Sequence, residues 1–231
     1  MSEEVWEKVW KKDLVTSDYS LKYLDFMAGI EKTLPDHATV VEAGCGTGQT
    51  LAIFSRRHTA IALDLSRSAL ALAGMVSDAD LLLSTIFSMP LKDSSCDLVY
   101  NSGVIEHFPD PRNLEAVREM ARVTRSGGSV LIIAPNSYCP WYRAGKRIAE
   151  SFHAFEFGYE EDYSPARLKD VVEKSGLAVI SAFGLQALPP LATNAHELAP
   201  ARIRRQFGRI EGILPFRQYY AYATGIIARK P

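Results

Sequence analysis

The stretch Val40–Thr50 reads VVEAGCGTGQT, a short apolar strand that runs into a loop with glycine at every second position. Such glycines let the backbone turn sharply and approach a ligand closely, and the helix predicted next presents free N–H groups at its N-terminus. The NAD fingerprint GxGxxG, counted from Gly44, would place its third glycine where Gln49 stands. The third glycine is Gly48 instead, so the loop departs from that fingerprint by one residue.

Asp64 favours a ligand-binding role for this loop. It ends the next predicted strand, Ala60–Asp64, sixteen residues after Gly48. A carboxylate at that point can accept both hydrogen bonds of a ribose diol. Because Glu42 precedes the loop and Asp64 follows it, we favour a ligand site over a turn that merely tightens a strand–helix connection.

Strand and helix patterns alternate outward from this loop. The predicted strands are Thr39–Glu42, Ala60–Asp64, Asp80–Ile86, Cys96–Asn101, Val130–Ala134, Leu177–Leu185 and Tyr219–Arg229. The predicted helices are Gln49–Arg57, Arg67–Met75, Asn113–Val123, which Gly127-Gly128 ends, and Ser164–Ser175, which Ser164 caps. Strands joined by helical crossovers at this spacing form a parallel sheet with helices on both faces, an α/β fold.

The composition excludes several classes of protein. Among 231 residues, 26 Lys and Arg stand against 27 Asp and Glu, so the basic excess typical of nucleic-acid binding is absent. No apolar run is long enough to span a membrane, and the charged N-terminus lacks the apolar segment of a secretory signal. Three scattered cysteines fit neither a disulfide framework nor a zinc site. We expect a cytoplasmic protein without a metal, and nucleic acid is disfavoured as a partner.

Four segments in the correct order resemble a class I S-adenosylmethionine-dependent methyltransferase, and within that class the small-molecule enzymes of the ubiquinone-biosynthesis type (methyltransferase type 11). They are VVEAGCGTGQT (Val40–Thr50), ALDLS (Ala62–Ser66), FSMPLKDSSCDLVYNSGVIEHFPD (Phe87–Asp110) and RVTRSGGSVLIIAPN (Arg122–Asn136). The resemblance implies a Rossmann-like, seven-stranded, mostly parallel sheet with an antiparallel last strand, and helical or loop insertions after strands 5 and 6. It also implies S-adenosylmethionine as cofactor, S-adenosylhomocysteine as product, and a small or medium-sized acceptor methylated on oxygen, nitrogen or carbon.

The resemblance further implies a single methyltransferase domain over residues 1–231. Its parts are an N-terminal helical cover (1–36), a cofactor-binding core (37–135), an aromatic-rich lid insertion (136–163) and a C-terminal part of the sheet (164–231) with an insertion at 189–215.

The resemblance assigns cofactor contacts residue by residue. Gly44, Cys45 and Gly46 would contact the methionine portion through their backbone, and Glu42 would anchor their loop. Asp64 would hold the ribose hydroxyls.

The adenine ring would lie against Leu65, Ile86 and Phe87. Family members commonly carry an aspartate that accepts from the adenine amine, and Thr85 stands at that position with Ser84 beside it. A hydroxyl or a backbone carbonyl would then accept this bond. The sulfonium end would be lined by Asn101 and Ser102.

Methyl transfer from a sulfonium needs alignment and, where the acceptor carries a proton, a base. His107 follows the fourth strand, where the crevice of an open parallel sheet lies, and an ordinary imidazole pKa near ~6.5 suits a base. Alternatively, Glu106-His107 only positions its loop. His153 and Glu156, in the first insertion, are the other candidates for the base.

The segments outside the core indicate how the acceptor is covered. Asn136–Tyr163 contains eight aromatic residues, which either close a pocket or fix the insertion to the sheet. Trp6 and Trp10 share one helical face, and we expect them to pack there, with cover of the cofactor as the alternative. A further helix is predicted at Pro200–Ile210, and one face of it carries Arg202, Arg205 and Arg209. This face would suit an anionic acceptor, or it is simply exposed to solvent.

Two other functions stay open at this point, an RNA methyltransferase and a non-catalytic S-adenosylmethionine-binding module that acts through a partner. The sequence after strand four, Asn101-Ser102-Gly103-Val104, lacks the Asn/Asp-Pro-Pro-aromatic motif of base-amine methyltransferases. The oligomeric state is left open.

Overall fold

The computed structural model describes residues 3–10, 18–151, 159–189, 192–193, 196–197, 200, 202, 210–211 and 213–231. The helices are α1 (Glu3–Val9), α2 (Asp18–Glu31), α3 (Leu51–Phe54), α4 (Arg67–Val76), α5 (Arg112–Val123), α6 (Pro140–Ser151) and α7 (Pro165–Lys174), with 3-10 turns at Ile105–His107 and Arg217–Tyr219. The strands are β1 (Thr39–Ala43), β2 (Thr59–Asp64), β3 (Asp80–Leu83), β4 (Cys96–Ser102), β5 (Thr124–Pro135), β6 (Ala178–Leu185), β7 (Ala192–Thr193), β8 (His196–Glu197) and β9 (Ala223–Arg229).

Seven strands form one sheet in the order β3-β2-β1-β4-β5-β9-β6. The pairs among β1 to β5 are parallel, whereas β9 runs antiparallel to both β5 and β6. This confirms the predicted mostly parallel sheet with an antiparallel last strand. The strand order reverses between β1 and β4, and in open sheets of this kind ligands bind beside the carboxyl ends of the strands at that point.

The central strands are apolar on both faces because helices cover both sides of the sheet. Successive side chains on a strand point to opposite faces, so neighbours such as Val40 and Val41 belong to different core clusters. Val41, Val99 and Ile132 pack with residues of α5 and α7, and the opposite cluster contains Val40, Leu98 and Leu131 together with residues of α2, α3 and α4. The sheet is therefore rigid where its carboxyl edge carries the loops.

Two serine caps fix where helices begin. The Ser66 hydroxyl accepts from the Ala69 N–H at 3.1 Å and starts α4 directly after β2. The Ser164 hydroxyl accepts from the Arg167 N–H at 3.1 Å, as the sequence predicted, with proline at the first turn.

The prediction that Gly127-Gly128 ends the preceding helix is wrong. Helix α5 ends at Val123, and the Thr124 hydroxyl donates to the Met120 carbonyl at 2.8 Å. Strand β5 begins at Thr124 itself, and the glycine pair lies inside it, where the pairing with β4 shifts register. Gly127, with a φ of +72°, makes this irregularity possible.

Other predicted bounds are too long or too short. Helix α3 is only four residues long, β3 ends at Leu83 because the chain turns toward the carboxyl edge, and β9 begins at Ala223. Helix α6 lies in the aromatic insertion after the fifth strand, where the sequence predicted helical or loop structure without bounds. Most of the predicted helix Pro200–Ile210 lies outside the described residues. No helix among the described residues is long and apolar enough to cross a membrane.

Gly48 is the point where the glycine loop touches helix α4. Its φ is +66°, a region that other residues rarely adopt. A Cβ atom at this position would lie 2.6 Å from the Cβ and 2.7 Å from the Cα of Ala73. The loop can approach α4 this closely only because position 48 has no side chain.

Replacing Gly48 with alanine will lower the free energy of unfolding by about 2 kcal/mol or more, because both the backbone conformation and the contact with α4 oppose a methyl group. Urea unfolding followed by circular dichroism measures the change. Gly145→Ala is the matched control, since Gly145 lies in α6 with open space around its Cα. It should leave stability unchanged or raise it by about 0.5–1 kcal/mol. Equal destabilisation by both variants would contradict the packing argument.

Candidate functional site

A cavity of about 670 Å³ opens at the carboxyl edge of the sheet, where the strand order reverses. This volume lies within the range of small-molecule sites in proteins. Its walls come from the loops after β1, β2, β3 and β4, from α1 and α2, and from the segment around residue 160.

The glycine loop forms the floor of the cavity. The Gly44 and Cys45 N–H groups both donate to the Leu63 carbonyl, at 2.7 and 3.0 Å, which ties the loop to β2. A Cβ atom at Gly44 would lie 2.6 Å from a methyl carbon of Val104, so the loops after β1 and β4 meet here. Gly44, Cys45 and Gly46 all border the cavity, and their contact with a cofactor stays a prediction. Burial raises the pKa of the Cys45 thiol, so this group is no nucleophile at neutral pH.

Asp64 lies at the end of β2 with both carboxylate oxygens engaged. One oxygen accepts from the Gly46 N–H and the other from the Ser66 N–H, each at 2.9 Å. Burial raises the pKa of Asp64, and these backbone bonds oppose the shift. A carboxylate oxygen can accept a second bond, so Asp64 can hold the loop and still receive a hydroxyl donor from the cavity. Leu65, next to it, also borders the cavity.

Glu42 lies beneath the loop and is buried. It accepts from the Thr50 hydroxyl at 2.8 Å, and that hydroxyl lies 3.0 Å from the Tyr100 hydroxyl. Burial raises the pKa of Glu42 to about 8, so the carboxyl is largely neutral at pH 7 in the protein without ligand. This chain of polar groups connects the end of β1 with the segment that leads into α3.

The wall after β3 is apolar and aromatic. Thr85, Ile86 and Phe87 border the cavity, and the Phe87 ring meets the Phe108 ring edge-on at 4.7 Å. The Arg112 guanidinium lies 3.7 Å from the Phe87 centroid on this side. The Thr85 hydroxyl accepts a long bond, 3.4 Å, from the Phe87 N–H. The wall therefore offers ring surfaces and a hydroxyl where the sequence predicted an adenine contact.

Two tryptophans, Trp6 in α1 and Trp10 directly after it, border the cavity. A Cβ atom at Gly46 would lie 2.7 Å from the Trp10 ring, and the Trp6 ring meets the His107 ring edge-on at 5.0 Å. Trp6 and Trp10 also stack on each other at 6.3 Å. The rings therefore pack together, and cover of the cofactor stays a prediction.

Glu7 fixes α1 in this position, which sequence reasoning missed. One of its oxygens accepts from the Arg67 and Ser68 N–H groups, at 2.6 and 3.3 Å, and from the Ser66 hydroxyl at 3.0 Å. The Ser68 hydroxyl donates to the other oxygen at 2.5 Å. These hydrogen bonds, that of the Ser68 side chain foremost, lower the pKa of Glu7 to about 2. A carboxylate is favourable at the N-terminus of α4, so the cover is attached to the helix that follows Asp64.

His107 borders the cavity in the loop after β4, and its ring is oriented by one bond. Its Nδ1 lies 2.9 Å from the Tyr159 carbonyl oxygen. A carbonyl can only accept, so Nδ1 carries the proton and Nε2 keeps its lone pair. Burial lowers the pKa of His107, which favours the neutral ring at pH 7. This is the protonation state that a general base requires.

Glu106, beside His107, also borders the cavity, although the sequence singled out only its neighbour. It is buried, and burial raises the pKa of its carboxyl to about 8. Its Oε2 has no hydrogen-bond partner among the described residues. The only signal in the sequence is the adjacency of the two titratable residues after β4.

Only some of the remaining predicted site residues border the cavity. Ser102 borders the cavity, but Asn101 does not. Asn101 is fully buried and its amide donates to the Met120 sulfur at 3.2 Å, because alternate side chains of β4 point to opposite faces. The predicted bases His153 and Glu156 lie outside the described residues, as do Arg205 and Arg209, whereas Arg202 is exposed. Within the described ranges, no group of three or more His, Cys, Asp or Glu side chains could hold a metal ion.

Comparisons with known proteins agree with this geometry. Residues 41–132 match the model of the family described as "Methyltransferase domain". A probable S-adenosylmethionine-dependent methyltransferase of Mycobacterium tuberculosis is 36% identical over 101 residues, 42% of this chain and 35% of that protein. A malonyl-(acyl-carrier protein) O-methyltransferase of Marinomonas is 37% identical over 99 residues, 40% of this chain and 36% of that protein. The probable tRNA methyltransferase 9B of Mus musculus is 32% identical over 94 residues, 40% of this chain and 21% of that protein.

This chain thus spans little more than a third of the length of the first two relatives and about a fifth of the third. Among solved structures, an S-adenosylmethionine-dependent methyltransferase from Archaeoglobus fulgidus has the same fold over 100% of both chains, with a TM-score of 0.67 at 16% identity. The family match over residues 41–132, the relatives and the strand order together support a class I S-adenosylmethionine-dependent methyltransferase domain in this chain.

Proposed function

We propose that this protein transfers the methyl group of S-adenosylmethionine to a small or medium-sized acceptor. The observation that carries the proposal is the single cavity that joins the glycine loop, Asp64 and His107. Residues that could bind the cofactor and a candidate base thereby border one cavity. Methyl transfer needs this proximity, because the enzyme contributes mainly alignment and proton removal.

The residues fit the cofactor of the family. The glycine floor borders the cavity. At Gly44 and Gly46 a Cβ atom would collide with Val104 and with the Trp10 ring, so the absence of side chains lets these walls of the cavity meet the loop. We assign the methionine portion to this floor, with Cys45 between the glycines. Asp64 would receive the ribose hydroxyls, and Ser102 would face the sulfonium end.

The adenine portion is assigned to the apolar wall. Leu65, Ile86 and Phe87 would enclose the ring, and Thr85 would accept from its amine in place of the usual aspartate. Glu42 would act indirectly, since its bond to Thr50 fixes the segment after the loop rather than a ligand.

The chemistry divides between the cofactor and the chain. The cofactor supplies a methyl group that its sulfonium already activates. The chain would hold the acceptor in line with that group and exclude water with Trp6 and Trp10 at the cavity. His107 would take the acceptor's proton on Nε2, while its Nδ1–H bond to Tyr159 holds the ring in place.

An RNA acceptor is a second candidate, favoured by the tRNA methyltransferases among the relatives. The match covers only 40% of this chain, and the net charge of −1 offers no general attraction for phosphates. Incubation of the protein with methyl-labelled donor and bulk tRNA, at low and high salt, decides between the candidates. If tRNA becomes labelled and the yield of labelled tRNA falls steeply with salt, RNA is the acceptor and the small-acceptor proposal is wrong.

The first prediction concerns cofactor binding. Calorimetric titration of the cofactor-stripped protein will show micromolar binding of S-adenosylmethionine and S-adenosylhomocysteine and none of NAD. Asp64→Ala will weaken both by at least about tenfold, because the ribose hydroxyls lose a charged acceptor and the loop loses its bond to Gly46.

Two further variants test the assignment of Asp64. Asp64→Asn keeps one carbonyl acceptor and should bind with intermediate affinity. Asp36→Ala removes an exposed carboxylate that pairs with Arg57 far from the cavity, and it should bind like the wild type. Unchanged affinity in Asp64→Ala would refute the ribose role.

The second prediction concerns His107. For an acceptor that loses a proton, His107→Ala will lower turnover by about 100-fold or more while cofactor affinity stays within about twofold. Because burial lowers the pKa of His107, wild-type kcat/KM should fall on acidification only below pH 6.5, the ordinary histidine value. The variant should lack this acidic limb. Full activity in the variant, or an unchanged pH profile, would remove His107 as the base.

A further inference from the structure

Glu106 is a buried carboxyl group in the wall of the cavity, and one of its oxygens is unpaired. The residue is only 2% exposed, it borders the cavity, and its Oε2 has no partner among the described residues. Buried polar groups are nearly always hydrogen-bonded, because removal from water without a partner is strongly unfavourable. An unpaired carboxyl oxygen in a residue of the cavity wall therefore calls for a donor that the described part of the protein does not provide.

The charged groups next to Glu106 carry a negative excess. Lys146 Nζ lies 3.0 Å from a Glu160 oxygen and 2.8 Å from an Asp162 oxygen, so one ammonium group is shared by two carboxylates. The Tyr142 hydroxyl donates to Glu160 at 2.5 Å. Glu160 borders the cavity as well. Glu160 and Asp162 raise the pKa of Glu106, Lys146 lowers it, and burial dominates.

Aromatic rings complete this end of the cavity. Trp6 contacts the His107 ring, and Tyr222, also at the cavity, meets Tyr142 edge-on at 5.0 Å. Carboxylates together with aromatic rings are the groups that bind organic cations. The Arg112 guanidinium also borders the cavity, and it covers Phe87 and pairs with Glu115 at 2.9 Å.

We propose that Glu106 binds the methyl acceptor and that the acceptor is an amine, whose nitrogen lies at Glu106 Oε2 beside His107. The proposal rests on the proposed function, since it names the substrate class of the same site. An anionic acceptor would meet the negative wall, and an acceptor without an N–H group would leave the Oε2 atom unpaired.

The reaction balances with the groups present. Because the pKa of the Glu106 carboxyl is raised to about 8, the group is largely protonated at pH 7 before the amine binds. As the amine arrives as an ammonium ion, Glu106 releases this proton to water, and the resulting carboxylate accepts a charge-assisted hydrogen bond from the ammonium group. His107 Nε2 takes one proton, which frees the nitrogen lone pair. The lone pair forms the new N–C bond to the methyl carbon as the C–S bond breaks, and the electron pair of that bond stays on sulfur. The methylated ammonium product then leaves Glu106, and His107 releases its proton to water.

Binding to the protein saturated with S-adenosylhomocysteine tests the proposal. The probes are two matched sets, tryptamine with tryptophol and indole-3-acetate, and hexylamine with hexanol and hexanoate. Calorimetry should show binding of the amines but not of the alcohols or acids. Glu106→Gln should weaken amine binding by about 100-fold, since truncation of one partner of a buried charge pair has effects of this size. Its affinity for S-adenosylhomocysteine should stay within about twofold. Asp170→Asn, which removes an exposed carboxylate paired with Lys174, is the control and should bind amines like the wild type.

The outcomes separate the possible failures. If S-adenosylhomocysteine does not bind, the proposed function fails before the amine is tested. If it binds and no amine does, or if alcohols or acids bind instead, the amine assignment is overturned. If Glu106→Gln loses affinity for S-adenosylhomocysteine, Glu106 belongs to the cofactor site and the assignment is also overturned.

A second measurement needs no ligand and checks whether the Glu106 carboxyl lies in the buried environment described above. The pKa of the Glu106 carboxyl is raised from 4.5 to about 8, so folding disfavours its ionised form. The resulting loss in the free energy of unfolding is small near pH 5, grows as the pH rises and is complete above pH 8. The melting temperature of Glu106→Gln should therefore exceed that of the wild type at pH 9 and approach it at pH 5. A difference that is the same at both pH values would show that Glu106 is not held in this environment.

Discussion

The close approach of the glycine loop to its neighbours is the constraint on which the rest of the site depends. Gly44 lies against Val104 and Gly48 lies against Ala73, and in both places a Cβ atom would come within 2.6 Å of a neighbouring carbon. The loops after β1 and β4 can then close on each other at the reversal of strand order. Asp64 completes the arrangement from β2, because its bond to the Gly46 N–H fixes the loop in its left-handed conformation.

Three buried carboxyl groups lie at this edge of the sheet, and they are accommodated in three different ways. Asp64 accepts backbone N–H groups on both oxygens, and Glu42 accepts a hydroxyl that is itself linked to Tyr100. Hydrogen bonds of this kind offset the loss of hydration. Glu106 has an open oxygen, so its desolvation is not offset within the described part of the protein. The hydrogen bonds of Asp64 and Glu42 within the protein therefore explain their burial, whereas for Glu106 we propose a role in binding.

The core of the fold and the floor of the site could be predicted from the sequence because their signals are local. The glycine spacing, the acid at the end of the second strand and the apolar runs each occupy a few consecutive residues. The position of the Asn101 side chain depends on a finer detail, the face of β4 to which each residue points. A one-residue step along β4 turns a side chain from the cavity into the core, where Asn101 lies against Met120. Glu7 could not be found in this way, because its partners at the start of α4 are about sixty residues distant in the chain.

The parts that close the cavity are held by polar contacts rather than by the sheet. Helix α1 is attached to α4 through the Glu7 carboxylate, and the segment around residue 160 is attached through Lys146 and through the Tyr159 carbonyl at His107. The same bond that orients the His107 imidazole therefore fixes the wall that would recognise the acceptor. In the proposed function, acceptor recognition and proton removal are thus coupled, because a shift of the wall would also turn the His107 ring. Binding of the cofactor would depend on a different set of contacts, those of the glycine loop with β2 and α4. The proposed function thereby assigns cofactor and acceptor to separately supported parts of one cavity.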